Sequence, residues 1–312
     1  MTKPNLFIVG NPKSGTSALH HFLEQHPDIF MSIPKEPKYF CKDFHKESDA
    51  FHKTKAFFSK YREEQDYLQI FSGARKERIL GEASPNYLYS KVAAKEICSF
   101  NPDAKIIIML RNPVDFIYSL HAQHRLRNYE DVEDFELALL LEKERRQGKS
   151  LPLRVDHPSA LYYSEMIKYS EQVYRYYGLF DKSNIKIIIY DDFKLNNRDV
   201  YRDTLTFLGL DHDFVPDFTM VNISKKPRNK RLNNLAQNSH MISAMNVILP
   251  PKCWSIIKKI GERIVWKEEM RPPMDSSLRE RLMTQYRDEV VKISALVGID
   301  LEKRWYGDFE NH

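Results

Sequence analysis

The chain has 312 residues, of which 42% are hydrophobic and 29% are charged. This composition excludes an intrinsically disordered chain and indicates a globular protein. The formal net charge of +5 suits an anionic cofactor or substrate but is too small to indicate nucleic acid as a partner.

The first predicted elements are a strand, a loop and a helix. Residues 6–9 form a short apolar run that is typical of a buried strand, and Gly10, Asn11 and Pro12 end it. Apolar residues then recur at helical spacing over 18–23. The helix ends before Pro27, because the residue preceding a proline avoids the helical region.

The loop between this strand and helix has the glycine spacing of a nucleotide-binding phosphate loop. Gly10 and Gly15 are correctly spaced, and Ser17 stands at the hydroxyl position. Thr16 occupies the usual lysine position, and the lysine lies inside the loop as Lys13. Backbone N–H groups and a helix N-terminus still suit an anion. The alternative is an ordinary turn, but the combination of glycines, lysine and hydroxyls favours a phosphorylated ligand other than a nucleoside triphosphate.

Strands and helices alternate along the rest of the chain. Buried strands are predicted at 29–33, 78–82, 105–110 and 185–190, and helices at 50–72, 86–100, 114–128, 133–147, 163–177 and 275–297. This alternation predicts an α/β fold with right-handed crossovers. We expect a three-layer α/β/α arrangement around a central parallel sheet, similar to the P-loop NTPase-like folds, in a single domain over residues 1–312.

Four loops follow predicted strands, and ligands bind at the carboxyl ends of parallel strands. The loops at 10–17, 82–85, 111–113 and 190–193 are therefore expected to share one edge of the sheet and one cleft. Arg111 lies at a strand end beside a helix N-terminus, and Ser119 follows two turns later. A guanidinium in this position suits a phosphate, although pairing with Asp115 is an equally plausible role.

The two loops together resemble the sulfotransferase family, which uses 3′-phosphoadenosine 5′-phosphosulfate (PAPS). The resemblance extends over most of the chain and is strongest to the bacterial and carbohydrate-type enzymes. The residues that carry it are 12–17 (Pro-Lys-Ser-Gly-Thr-Ser), 110–115 (Leu-Arg-Asn-Pro-Val-Asp), 118–119 (Tyr-Ser), 26–28 (His-Pro-Asp), 35–40 (Lys-Glu-Pro-Lys-Tyr-Phe), 81–87 (Gly-Glu-Ala-Ser-Pro-Asn-Tyr), 190–193 (Tyr-Asp-Asp-Phe) and 222–231.

The resemblance implies which residues hold the donor nucleotide. The 5′-phosphosulfate is expected to contact Lys13, Ser14, Gly15, Thr16 and Ser17. The 3′-phosphate is expected to contact Arg111 and Ser119, and the basic segment with Lys226 and Arg228 to close over the nucleotide; a solvated charged loop is the alternative for that segment. The family works without a metal, and Lys13 would stabilise the leaving phosphate.

An acceptor hydroxyl or amine also needs a proton acceptor. By resemblance to the carbohydrate-type enzymes Glu36 is the first choice, and a surface glutamate beside Lys35 is the alternative. His121 and His124 compete for the role, because imidazole titrates near neutral pH; a solvent-facing pair is the other reading. Ala83 departs from some glycosaminoglycan sulfotransferases, which have a lysine there. The acceptor therefore stays open as a sugar, a lipid-linked glycan, a phenol or a small metabolite.

Two other functions compete with this one. An ATP-dependent P-loop kinase would use Asp191 after the strand at 185–190 as a magnesium ligand, but Thr16 stands where its lysine should be. A non-enzymatic polyanion-binding module would use the basic segment alone. The widely spaced Cys41, Cys98 and Cys253 indicate free thiols. We see no signal-peptide pattern and no long apolar run, which favours a cytoplasmic protein.

Overall fold

The structure is a computed structural model that describes residues 3–55, 57–218 and 272–307, together with the backbone of 225–227 and 266–268. Its centre is a sheet of five parallel strands in the order β2-β3-β1-β4-β5. The strands are β1 (Leu6–Gly10), β2 (Ile29–Met31), β3 (Ile79–Ala83), β4 (Lys105–Leu110) and β5 (Ile185–Ile189). The predicted parallel sheet is confirmed.

Helices connect the strands and cover the sheet. In chain order they are α1 (Thr16–Leu23), α2 (Lys42–His52), α3 (Glu64–Gln69), α4 (Asn86–Tyr89), α5 (Ala93–Phe100), α6 (Pro113–Arg127), α7 (Phe135–Leu140), α8 (Glu142–Arg145), α9 (Tyr163–Met166), α10 (Tyr169–Tyr177), α11 (Tyr190–Leu195), α12 (Asn197–Phe207), α13 (Ser276–Val297) and α14 (Leu301–Tyr306). A separate antiparallel pair joins β6 (Lys225–Pro227) to β7 (Trp266–Glu268). None of the helices described is both long enough and apolar enough to cross a membrane.

Alternate side chains of the strands enter two different hydrophobic cores, as strand geometry requires. On one face, Ile8 and Ile107 pack with apolar residues of α1 and α12. On the other, Phe7 and Ile108 pack with residues of α5, α6, α10 and α13. The sheet is thus covered on both sides, which explains its continuous apolar strands and confirms the three-layer arrangement.

The predicted helix over 50–72 is wrong for most of its length. Helix α2 ends at His52, and Lys53 adopts a left-handed φ of 52°. Phe58 is then buried, with its ring against Phe44 and His157. Burial of this aromatic side chain overrides the helical propensity of the polar residues around it.

The helix predicted over 163–177 is broken in two. Tyr163–Met166 and Tyr169–Tyr177 are separate helices, and the amide of Gln172 donates to the carbonyls of Glu165 and Met166 at 3.2 and 3.1 Å. A side chain thus satisfies the carbonyls that a continuous helix would have bonded internally. The helix predicted over 133–147 is likewise two short helices, α7 and α8.

Candidate functional site

The loop before α1 presents an open helix N-terminus. Gly15 is the N-cap residue, with φ at 88°, and no side chain caps the helix. A Cβ atom at Gly15 would lie 2.9 Å from Cδ1 of Phe193, so glycine is required both by conformation and by space. The first N–H groups of a helix lack intrahelical acceptors, and this end is therefore suited to an anion.

Arg111 links the two predicted anion sites. Its Nη1 donates to the carbonyl oxygen of Lys13 at 3.0 Å, and its guanidinium lies over the ring of Tyr190 at 4.6 Å from the centroid. Asp115 instead pairs with Arg279 at 2.6 Å, so the alternative pairing of Asp115 with Arg111 is wrong. The contacts with Lys13 and Tyr190 thus position the Arg111 guanidinium between the loop after β1 and the start of α11.

One cleft lies along the carboxyl edge of the sheet, as predicted. At the two predicted anion sites the cleft is lined by Lys13, Gly15, Thr16, Ser17, Arg111 and Ser119. Beyond them it is lined by Glu36, Lys38, His124, Tyr129, Asp156 and His157. Ser14 is not in the lining: its side chain is fully buried behind the loop, with Oγ 3.4 Å from the carbonyl of Pro12.

Helix α6 lines this cleft continuously from Tyr118 to Arg127. Ser119 lies nearer the N-terminus of the helix, which adjoins Arg111, and Arg127 lies at its C-terminus, eight residues later, which corresponds to about 12 Å along a helix axis. Asn112 caps the helix by accepting from the backbone N–H groups of Val114 and Asp115. The helix thus fixes the separation between Ser119 and the side chains near Arg127, including Glu36 and His124, which we call the far end of the cleft.

Glu36 lies at the far end of the cleft and is negatively charged at neutral pH. Burial raises the pKa of its carboxyl, but the charges of Lys35 and Lys38 outweigh burial, and the net pKa is lowered. Lys35 Nζ donates to Glu36 Oε1 at 2.7 Å, and 29% of the Glu36 side chain remains exposed. An ionised, accessible carboxylate fits the predicted proton acceptor.

A buried carboxyl holds the Glu36 loop in place. Glu82, at the end of β3, accepts hydrogen bonds from the hydroxyls of Tyr67 at 2.8 Å, Tyr87 at 2.7 Å and Ser84 at 2.7 Å. Ser84 Oγ also accepts from the backbone N–H of Lys38 at 3.1 Å. Burial raises the pKa of Glu82 to about 7, although the three hydroxyl bonds lower it in part. The sequence motif contained Glu82, but its role depends on burial that no local pattern reveals.

The two histidines of α6 are buried, so the solvent-facing alternative is wrong. His121 Nε2 donates to the carbonyl of Val132 at 3.0 Å, which gives it a structural role. Burial and, to a smaller extent, the charge of Arg127 lower the pKa of His124 to about 3. His124 is thus neutral at physiological pH, and its Nδ1 has no hydrogen-bond partner in the described part of the chain.

Sequence reasoning missed an ion pair in the cleft wall. Lys38 Nζ lies 3.2 Å from Asp156 Oδ2 and 4.3 Å from the centroid of Phe58, and the hydroxyl of Tyr129 also hydrogen-bonds Asp156. Lys38 belonged to a recognised motif, but Asp156 lies in a loop without any pattern. Its pairing with Lys38 could only be found in three dimensions.

The remaining sequence predictions concern magnesium and the basic segment. Asp191 Oδ2 accepts from the indole Nε1 of Trp305 at 2.9 Å, and Asp192 pairs with Arg304, so both carboxylates have structural partners. Within the ranges described, no group of three or more His, Cys, Asp and Glu side chains is arranged to hold a metal. Arg228 and the side chain of Lys226 lie outside the described residues, and their predicted roles stay predictions.

Comparison with known proteins identifies a family for this arrangement. The chain matches the Sulfotransferase domain family over residues 3–247. The crystal structure of a sulfotransferase from Alicyclobacillus acidocaldarius is similar, with a TM-score of 0.69 and 29% identity over 96% of this chain and 98% of that one.

Curated relatives include two enzymes named for heparan sulfate. The human bifunctional heparan sulfate N-deacetylase/N-sulfotransferase 3 is 26% identical over 94% of this chain, and the mouse heparan sulfate glucosamine 3-O-sulfotransferase 3B1 is 29% identical over 43% of it. The chain spans 30% of the length of each relative. Since the family match extends over more than half of its residues, this chain belongs to the sulfotransferase domain family.

Proposed function

We propose that the chain transfers a sulfuryl group from PAPS to a hydroxyl or amine of a glycan or small-metabolite acceptor. The observation that carries this proposal is a single cleft that joins the Lys13–Ser17 loop and Arg111 to the ionised carboxylate of Glu36. Cations at one end suit a doubly phosphorylated nucleotide, and a carboxylate at the other suits an acceptor that must lose a proton.

The donor end fits the nucleotide by its chemistry. The uncapped N-terminus of α1 and the positive φ of Gly15 leave backbone N–H groups for the phosphosulfate. Arg111 is held by the carbonyl of Lys13 and by the ring of Tyr190, and Ser119 lines the same cleft. When bound, PAPS supplies the sulfuryl group and a phosphate leaving group.

The residues of the chain would perform the remaining work of an in-line transfer. Glu36 would take the proton from the attacking hydroxyl or amine, and Lys13 would stabilise the charge that develops on the leaving phosphate. Lys35 and Lys38 keep Glu36 ionised, so that it is ready to accept the proton at neutral pH. Sulfuryl transfer, like phosphoryl transfer, needs an in-line nucleophile, an aligned leaving phosphate and positive charge near the leaving group. In this scheme side chains meet these needs, and no step requires a metal ion.

A melting experiment tests the donor assignment. The desulfated nucleotide 3′-phosphoadenosine 5′-phosphate (PAP), added without metal at one hundred times its dissociation constant, should raise the free energy of unfolding by about 2.7 kcal/mol. ATP with magnesium serves as the comparison, because the rival function is a P-loop kinase. Stabilisation by ATP–magnesium but not by PAP would overturn the proposal.

The substitution Glu36→Gln tests the proton acceptor. With labelled PAPS and a panel of acceptors, turnover should fall about 10²–10⁴-fold because the amide cannot take the proton, while the PAP-induced melting shift stays unchanged. Glu96→Gln is the matched control, since Glu96 is also a partly exposed glutamate paired with a lysine, Lys42, but lies outside the cleft. Unchanged turnover in Glu36→Gln would remove Glu36 from this role and favour His124.

A further inference from the structure

A third histidine lies at the far end of the cleft, and the proposed chemistry does not use it. His157 lines the cleft but is only 1% exposed. Its ring stacks on Phe44 at 4.2 Å between centroids, and Phe58 packs edge-on at 5.1 Å. The Nε2 atom is buried and has no hydrogen-bond partner among the residues described. A buried polar atom of this kind calls for an explanation, since most are paired in native proteins.

The hydrogen bonds behind the ring fix the position of its proton. Ser159 Oγ lies 2.5 Å from Glu47 Oε2, and a carboxylate can only accept, so the hydroxyl proton lies on that line. Ser159 Oγ must then accept from His157 Nδ1, which is 2.8 Å away. Nδ1 therefore carries a proton, and in the neutral ring Nε2 carries a lone pair.

Glu47 is well suited to maintain this arrangement. It also accepts from the backbone N–H of Ser159 at 2.7 Å, and its Oε2 lies 3.5 Å from His157 Nδ1. Burial raises the pKa of Glu47, but the nearby His157 and the hydrogen bonds from Ser159 lower it more, and the net pKa is lowered. The carboxylate thus stays ionised and continues to accept.

Among the residues described, no neighbour of His157 bonds its Nε2. Asp156, the adjacent residue, is already engaged with Lys38 and with the hydroxyl of Tyr129. His124 lies close enough to His157 for the two rings to interact electrostatically. The Nδ1 atom of His124 is also buried and has no hydrogen-bond partner in the described chain. His157 and His124 thus contribute to the cleft wall two imidazole nitrogens that have no hydrogen-bond partner in the described chain.

We propose that His157 is an acceptor-positioning residue, whose Nε2 accepts a hydrogen bond from a second hydroxyl or amine of the acceptor. This inference rests on the proposed function. It requires an acceptor with at least two hydrogen-bond donors: one gives its proton to Glu36 and becomes sulfated, and the other binds His157. Such an acceptor is a polyol or amino sugar, whereas a phenol with one hydroxyl can lose its proton to Glu36 but leaves Nε2 of His157 without a donor.

Two isosteric substitutions separate this role from a structural one. The amide nitrogen of Asn overlaps imidazole Nδ1, so His157→Asn keeps the donor to Ser159 and removes the group at Nε2. Gln places its amide near Nε2 instead and loses the inner donor. With labelled PAPS and D-glucosamine, we expect His157→Asn to raise KM about tenfold, the upper end of the loss of one hydrogen bond, with KM for PAPS unchanged. His157→Gln should recover part of the affinity for D-glucosamine.

The single-donor acceptor 4-nitrophenol is the matched probe. Its KM should be the same in the wild-type protein and in His157→Asn, so that the preference for D-glucosamine falls about tenfold. If His157→Asn behaves as wild type towards D-glucosamine while His157→Gln is damaged, the ring has only a structural role and the inference is overturned.

Magnetic resonance of the histidine rings gives a readout that does not depend on turnover. In the full chain with PAP, His157 should show a protonated Nδ1 and a bare Nε2, and its signals should shift saturably with D-glucosamine. A proton on Nε2 with Nδ1 bare, or no shift with D-glucosamine, would overturn the inference. The PAP melting shift does not depend on His157. If the shift persists while the tests of His157 fail, only this inference is overturned; if the shift is absent, the proposed function itself is contradicted.

Discussion

The charge of single side chains in this site depends on their surroundings. Ser84 connects the two glutamates, because its hydroxyl bonds both Glu82 and the backbone of the loop that carries Glu36. Even so, the charges of Lys35 and Lys38 lower the pKa of Glu36, whereas burial raises the pKa of Glu82 to about 7. The sequence shows both glutamates inside recognisable motifs. It does not show that Tyr67 approaches Glu82 or that β3 is covered on both faces, and these are the facts that decide the ionisation.

Glu82 should make stability depend on pH. Its folded pKa of about 7 exceeds the ordinary 4.5, so the contribution to stability is complete below pH 4.5 and is lost as the pH rises through 7. At 1.36 kcal/mol per unit, the loss is about 3 kcal/mol. Glu82→Gln should remove this decline in the free energy of unfolding, measured by urea titration between pH 5 and 8. Glu96→Gln is the control, and the same pH slope in Glu82→Gln as in the wild type would contradict the assignment.

At the scale of elements, the strands and the loops after them were predictable, and several helices were not. A strand such as β4 is an apolar run that any covered sheet requires, and Arg111 directly follows it. The chain around 53–63 contains Phe58, whose burial against Phe44 and His157 depends on residues far away in sequence. Local periodicity therefore failed where long-range aromatic packing decides the backbone.

The loop before α1 should lose its ligand when Gly15 acquires a side chain. In Gly15→Ala, the positive φ costs about 1–2 kcal/mol of stability, and the new Cβ would lie 2.9 Å from the buried ring of Phe193. Since Phe193 is 4% exposed and packs against Phe22, the loop must move instead of the ring. We expect PAP binding, measured by calorimetry, to fall at least tenfold.

Gly148→Ala is the matched control for this change. Gly148 also has a positive φ, of 77°, but a Cβ there meets no atom within 4 Å. It should lose similar stability from backbone conformation and keep full PAP affinity. Equal PAP affinity in the two variants would show that the loop geometry at Gly15 does not shape the nucleotide site.

At the scale of the molecule, the cleft is assembled from segments that are distant along the chain. The proposed donor end uses the loops after β1 and β4, which the resemblance to sulfotransferases had indicated. The far end combines Glu36 and Lys38 with Asp156 and His157, more than a hundred residues away, and no local pattern links them. The grouping of these loops at one cleft was therefore predictable from the sequence, whereas the cluster of Glu36, Lys38, Asp156 and His157 became visible only when the chain was folded.

Helix α14 connects the chain around Trp305 to the residues beside Arg111. Trp305 donates from Nε1 to Asp191 at 2.9 Å, beside the Tyr190 ring that lies against Arg111. Its carbonyl also accepts from the amide of Asn112, the residue that caps α6. A hydrogen bond to a charged group is worth about 1.5–3 kcal/mol. Trp305→Phe keeps an aromatic ring but loses the N–H donor and part of the buried indole, and it should lower the free energy of unfolding by at least about 2 kcal/mol.

The same substitution should weaken PAP binding several-fold, because Asp191 adjoins the residue that positions Arg111. Arg304→Gln is the matched control on the same helix: it breaks the pair with Asp192, in which the two side chains are 42% and 46% exposed, and exposed pairs contribute about 0–1 kcal/mol. Chemical denaturation and calorimetry with PAP, applied to both variants, measure the two effects. If Trp305→Phe and Arg304→Gln proved equally mild in both measurements, α14 would be a peripheral helix, and the position of Arg111 would depend on Tyr190 and Lys13 alone.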